Sequence, residues 1–294
     1  MGSAMAANLM KAGFAVAGYD LLAGRRRTHG RAGGRVARSV AEVAVLADVA
    51  ITSLPSAESL LEVSAGLARD GGAPKYVIET STLPIAVKEE SRRRLAKAGA
   101  VLLDCPLSGT GAQARTGDLV VYASGPRKAC QMVAPVLEAF ARAHYYIGPF
   151  GAGSKMKFVA NLLVAIHNVA AAEALVLAMK AGLDPALALK VIAEGAGSSR
   201  VLQLRGPMMV RGRYTEATAR LSMFAKDMMV ITDFARQTGC PTPLLSATMP
   251  IYAAAAAMGR EAEDTAAVCA VLETMAGYRR RRSRGRVATR SRTS

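Results

Sequence analysis

Two rhythms of hydrophobic and polar positions share the first half of the chain, and only one of them continues past residue 150. From Met1 apolar residues recur at helical spacing until Gly13, which predicts an amphipathic helix. The apolar run Phe14 to Tyr19, ending at Asp20, predicts a short buried strand. Val40 to Leu46 suits a helix, and Asp48 onward a buried strand that ends in a loop at Leu54 and Pro55. Tyr76 to Glu79 predicts a further strand, followed by a loop containing Ser81 and Thr82 and a charged helix from Lys88 to Ala98. Val101 to Asp104, Leu119 to Ala123 and His144 to Ile147 complete the strands, the last two around a helix from Cys130 to Arg142. This alternation predicts a doubly wound, mainly parallel sheet with ligands beyond the carboxyl ends of its strands. Leu54, Pro55, Ser81, Thr82 and Ser108 fall at such ends, although ordinary turn chemistry explains any one of them equally simply.

Beyond residue 150 the strand signals stop. Helices are predicted at 153–181, 185–194, 225–238, 243–258 and 263–276, separated by Gly, Pro and Ser clusters. The expected fold class is therefore α/β, with an α/β domain over 1–150, an all-helical domain over 151–277 and a basic, disordered tail over 278–294. The first of the later helices opens with Gly151-Ala-Gly-Ser-Lys-Met-Lys-Phe-Val-Ala-Asn161 and is apolar nearly all round, as a central helix is. Gly151 and Gly153 read as a flexible entry to it. Lys157 and Asn161, four residues apart, share one face, with Lys155 turned away. A lysine on the first turn of a buried helix needs a cleft, a partner or a task. Snorkelling to solvent at a domain edge accounts for it equally well.

Composition narrows the classes. At 294 residues with 51% hydrophobic and 20% charged residues, the chain reads as globular and long enough for two cores. Cys105, Cys130, Cys240 and Cys269 form no Cys-x-x-Cys pair, and His29, His144 and His167 have no ligand spacing. Reduced thiols in a cytoplasmic protein without a metal site are expected. The net charge of +16 suggests nucleic acid, but residues 279–294 alone hold eight arginines and no acid. The rest lacks the aromatic interleaving that stacks bases, which argues against a nucleic-acid partner. Asn161, His167, Asn168 and Glu173 inside the long apolar run argue against a membrane span.

A helix, a strand and Asp20 are the second half of a nucleotide-binding βαβ unit, whose acid holds the ribose hydroxyls. Gly2 stands where the third glycine of a Gly-x-Gly-x-x-Gly turn belongs. The expectation is a nucleotide domain whose first strand is absent, in a reading frame that starts at an internal methionine.

Four segments together resemble the β-hydroxyacid dehydrogenase family, which includes 3-hydroxyisobutyrate, tartronate semialdehyde and 6-phosphogluconate enzymes. They are Met1-Gly2-x-x-Met5-Ala6-x-Asn8-Leu9, Asp104-Cys-Pro-Leu-Ser108-Gly109-Thr110, Gly151-x-Gly153-x-x-x-Lys157-x-x-x-Asn161 and Lys226-Asp227. Thr110 stands where the family usually has glycine, and Ala160 replaces one of two frequent asparagines. The resemblance implies a Rossmann-type domain, NAD with NADP left open by Arg25, Arg26 and Arg27, and oxidation of a small hydroxy acid. It implies Lys157 as general acid and base, Asn161 as its catalytic partner, and Ser108, Gly109 and Thr110 as the substrate loop. Met1, Gly2, Asp20, Leu54, Pro55, Ser81, Thr82 and Lys226 would line the cofactor. Thr110, Gln113 and Ser108 would suit a polar substrate such as a short sugar acid. The apolar helix predicts a homodimer or homotetramer. Two other readings stay open: an impaired homologue that only oligomerises, and a nucleic-acid-associated protein acting through its arginine tail.

Overall fold

The computed structural model describes residues 1–69 and 72–280. Helix α1 (Gly2–Lys11) buries Met5 and Leu9, one turn apart, and the chain turns through Gly13 into β1 (Ala17–Gly18). α2 (Ala23–Arg31) has no buried residue, which is why periodicity did not reveal it. β2 (Arg35–Val36) then pairs parallel with β1. Ser39 and Ser56 cap α3 (Val40–Leu46) and α4 (Ala57–Leu67), on either side of β3 (Val49–Thr52). β4 (Tyr76–Glu79), α5 (Ile85–Lys97) and β5 (Val101–Asp104) follow, and β3, β4 and β5 lie parallel in that order.

The remaining strands depart from the expected parallel pattern. β6 (Leu107–Ser108) and the five-residue α6 (Gly111–Arg115) carry the chain beyond the end of β5. It re-enters as β7 (Val120–Ser124), antiparallel to both β5 and β6, because no crossover helix returns it to the starting edge. After α7 (Arg127–Met132) and α8 (Ala134–Glu138), β8 (Ala143–Gly148) pairs parallel with β7. β1 and β2 form a two-stranded sheet of their own, separate from the six strands β3 to β8. Apolar clusters cover the two faces, one around Leu103, Val121 and Phe140, the other around Val77, Leu95 and Leu102.

From Ala152 the chain is helical. α9 (Ala152–Lys180) is central; α10 (Pro185–Glu194), α11 (Arg200–Arg211), α12 (Leu221–Gln237), α13 (Pro243–Ala257) and α14 (Val268–Met275) surround it. α11 was not anticipated, because Gly206 and Pro207 read as breakers. Gly206 is there for closeness: a Cβ on it would lie 2.4 Å from Leu189 on α10. By length and composition alone α9 could cross a membrane. Its buried Asn168 instead donates to Tyr252 Oη and the Thr265 carbonyl, each at 2.9 Å, inside the helical core.

Two residues that the sequence assigns to the tail, Tyr278 and Arg280, belong with the helical half. Tyr278 packs on the helical core, and the Arg280 guanidinium donates to the carbonyls of Met209 and Val210 and to the Glu273 carboxylate. The remaining arginines, on which the nucleic-acid reading rests, lie outside the described residues. Deletion of 279–294 is therefore expected to destabilise the chain rather than leave it intact. Loss of the Arg280 contacts is worth about 1–3 kcal/mol, or about 2–4 °C in Tm per kcal/mol. Thermal denaturation of that deletion beside one ending at Arg280 measures the difference; equal Tm values would show that Arg280 contributes nothing.

Candidate active site

The loops after β3, β4 and β5 converge with the starts of α1, α9 and α12. The N–H of Leu54 donates to Ser81 Oγ at 2.8 Å, tying the first two loops together. Gly2, opening α1, faces the same place: a Cβ on it would lie 3.8 Å from that of Ser53. Under these loops lies a buried charge cluster. Lys88 of α5 reaches the carboxylates of Glu79 and Asp104, each at 2.8 Å, and all three side chains are wholly inaccessible. Burial alone would lower the Lys88 pKa, but Asp104 and Glu79 outweigh it and leave it raised.

The entry to α9 is tight, not flexible. The N–H of Gly153 donates to Ser124 Oγ at 2.9 Å, and a Cβ there would fall 2.3 Å from the Tyr122 carbonyl. Glycine is required because helix and strand backbones touch. One residue on, the Ser154 N–H and hydroxyl donate to the two oxygens of Asp104 at 2.7 and 2.8 Å.

Lys157 and Asn161 are both buried on one face of α9, and Lys155 is exposed. Asn161 Nδ2 donates to Asp227 Oδ2 on α12 at 3.0 Å. Asp227 pairs with its neighbour Lys226 at 3.3 Å, and Lys226 Nζ donates to the Thr82 carbonyl at 2.7 Å. Burial drives the Lys157 pKa down to about 8; Asp227 opposes the shift and Lys226 adds to it. Burial likewise raises the Asp227 carboxyl against the pull of Lys226 and Lys157. A lysine so placed exchanges protons near neutrality. Lys157, Asn161, Thr82, Ser81, Leu54, Lys226 and Gly2 thus belong to one contiguous set.

No hydrogen bond among the described residues joins the other sequence candidates to that set. Pro55 continues the β3 loop just before the Ser56 cap and is exposed, whereas Leu54 is half-buried. Asp20, past β1 in the smaller sheet, accepts the Leu22 N–H at 2.9 Å and pairs with Arg25 at 3.3 Å. Ser108 closes β6, and Gly109 takes a φ of 136°. Thr110 and Gln113 are spoken for by a reciprocal capping box on α6, and Gln113 Nε2 also donates to Asp118. Gln113 is therefore not a free substrate group, whereas the Thr110 hydroxyl keeps its own proton to donate.

Asp227 is read from the sequence only as the neighbour of Lys226, without its bond to Asn161, and the Lys88 cluster is not read at all. Lys88, Ser91 and Leu95 are the buried positions of α5, at helical spacing, and in so charged a helix no pattern in the sequence marks Lys88 as the buried cation.

A dinucleotide fits these residues. Met1 places no side-chain cap on α1, leaving a helix N-terminus of the kind that takes phosphate. Asp20 offers a carboxylate for ribose hydroxyls at the end of its strand. Paired with an all-helical half that presents a buried lysine, the sheet defines a nucleotide-dependent oxidoreductase. Solved structures agree: 3-hydroxyisobutyrate dehydrogenase from Salmonella typhimurium superimposes with a TM-score of 0.82 at 30% identity, covering 92% of this chain and 95% of that one. The enzyme of that name from Mycobacterium tuberculosis, determined with L-serine, gives 0.83 at 29% identity over 92% and 95% of the two chains. Residues 1–148 match the family model for the NAD binding domain of 6-phosphogluconate dehydrogenase. Residues 151–272 match that for the NAD-binding of NADP-dependent 3-hydroxyisobutyrate dehydrogenase. An L-threonate dehydrogenase of Cupriavidus necator is 36% identical over 272 residues, 91% of each chain. The mitochondrial 3-hydroxyisobutyrate dehydrogenase of Mus musculus is 31% identical over 277 residues, covering 91% of this chain and 83% of that one. The chain belongs to the β-hydroxyacid dehydrogenase family. It is an enzyme that oxidises a hydroxy acid with NAD or NADP.

Proposed function

We propose that the substrate is a short sugar acid of the threonate type and that Lys157 is the general acid and base. One observation carries the second part: Lys157 is buried on the first turns of α9, its pKa lowered to about 8, with Asn161 one turn further along. Bound nicotinamide supplies the hydride acceptor. Neutral Lys157 takes the proton of the substrate hydroxyl, and in the reverse direction charged Lys157 returns it. Asn161, oriented by Asp227, donates to the substrate and fixes its approach. Ser108, Gly109 and Thr110 hold the carboxylate through hydroxyl and backbone N–H groups. The similarity to L-threonate dehydrogenases supports a polyhydroxylated acid over a branched apolar one, as does Thr110 in the loop. Nicotinamide reduction with L-threonate, other short sugar acids and 3-hydroxyisobutyrate as separate substrates tests this; highest kcat/KM on 3-hydroxyisobutyrate would reject the sugar-acid choice.

We infer NAD as the preferred cofactor from Asp20, whose carboxylate suits ribose hydroxyls and repels a 2′-phosphate. Arg25, paired with it, moderates that repulsion. Arg25→Ala is expected to sharpen the NAD preference several-fold, and Asp20→Ala with Arg25 retained to move it towards NADP. Ratios of kcat/KM for the two cofactors report both; unchanged ratios would remove Asp20 from the ribose site.

Assembly through the helical half is part of the same reading. Val159, Leu163 and Leu177 on the outer stripe of α9 are 52%, 47% and 72% exposed, and Leu187 and Val191 on α10 lie at 60% and 62%. A second copy covering them would bury the ~2,000 Å² or more usual in obligate interfaces. Sedimentation at micromolar concentration should show a dimer or tetramer, and an active monomer would overturn it. The cytoplasm is the proposed compartment, since the four cysteines are unpaired and three are buried; recovery in another cell fraction would contradict it.

A further inference from the structure

The triad of Glu79, Lys88 and Asp104 carries no step of the reaction, yet it touches both sides of the site. On one side Lys88 Nζ donates to the Ser81 carbonyl at 2.6 Å, and the Ser81 N–H donates to the two Glu79 oxygens at 3.0 and 3.1 Å. The loop after β4 is thus gripped by both backbone groups of Ser81. On the other side Asp104 spends both oxygens on Ser154, with Ser124 Oγ also donating to it at 3.2 Å. Ser154 stands three residues before Lys157, close to one helical turn. Buried ion pairs are weak contributors to stability beside apolar packing of the same volume. This one links the loop after β4, through Ser81, to the first turn of α9, through Ser154.

We propose that Ser154, held by Asp104 and through it by Lys88, is a positioning residue that sets where Lys157 Nζ stands relative to loop 80–84. This rests on the reading of Lys157 as the proton-transferring group. The effect is one of place and not of charge: the Lys157 pKa answers to burial, Asp227 and Lys226, and Asp104 is not among its causes. Misplacement of a reacting group by about 1 Å can cost 10²-fold in rate.

Ser154→Ala removes one hydroxyl and keeps the backbone N–H bond to Asp104, so it is the variant to measure. Four readouts are compared with the parent enzyme: kcat, KM for substrate and cofactor, the midpoint of the kcat pH profile, and Tm. The expected result is a kcat lower by on the order of 10-fold, both KM values within about twofold and an unmoved pH midpoint, at temperatures well below either Tm. Unchanged kcat would overturn the inference. So would a loss dominated by weaker cofactor binding, which marks general loosening of the sheet. Lys157→Ala, measured alongside, separates this from the underlying reading. If it loses turnover while Ser154→Ala does not, only the positioning role fails. If it keeps turnover, both fall.

Discussion

Lys157→Ala is expected to lower kcat by about 10²–10⁴-fold, the usual worth of a positioned acid or base, while cofactor affinity stays within about twofold. The side chain is buried on α9 and its neighbours are Asn161, Asp227 and Lys226, so its removal touches proton handling first. The sign of the pH dependence follows from the two protonation states. Oxidation needs the neutral amine, so its rate should rise as pH passes about 8. Reduction needs the ammonium form and should decline over the same range. Steady-state kinetics in both directions between mildly acidic and alkaline pH show whether the limbs are opposed. A variant keeping more than about a tenth of parental kcat would remove Lys157 from the chemistry.

Lys88→Met is expected to be the most destabilising single change in the α/β half. Methionine fills the space, but the carboxylates of Glu79 and Asp104 are left facing one another with no access to water. Breaking a buried pair by removing one partner costs about 3–5 kcal/mol, which amounts to a Tm lower by roughly 6–20 °C. Adding Glu79→Gln and Asp104→Asn to Lys88→Met removes both stranded charges and should recover part of the loss. Thermal denaturation of the single and triple variants reads this out. A single variant within about 2 °C of the parent would mean that the triad is not closed as described.

How much of this was legible in the sequence depended on whether a residue's task was local. Periodicity placed α9, because an apolar helix of that length has one home in a folded chain, and its i, i+4 spacing put Lys157 and Asn161 on one face. The parallel strands β3, β4 and β5 were legible for the same reason, each being a short apolar run before a turn. Pairing direction was not: β7 has the same composition whether it runs parallel or antiparallel, and only the path through β6 and α6 decides. Gly153 looked like flexibility because a missing side chain has no sign in sequence; its close contact with the Tyr122 carbonyl exists only across the fold. Asp227 depends on Asn161, 66 residues away, Lys88 on two carboxylates that the sheet brings side by side, and Arg280 was hidden in a run of arginines.

Gly153 and Ser154 also deny α9 the role of hinge. A pivot at the helix entry would break three buried hydrogen bonds to Ser124 and Asp104 at once, with no water to replace them. Sheet and first helical turn therefore travel together, and Lys157 travels with the sheet. On the opposite wall α12 meets the loop after β4 through one bond, from the partly exposed Lys226 to the Thr82 carbonyl. α12 is in turn tied to α9 by the Asn161–Asp227 bond and by the packing of Phe158 on Phe234, so the lysine and the groups that set its protonation are held as one piece across both halves of the chain.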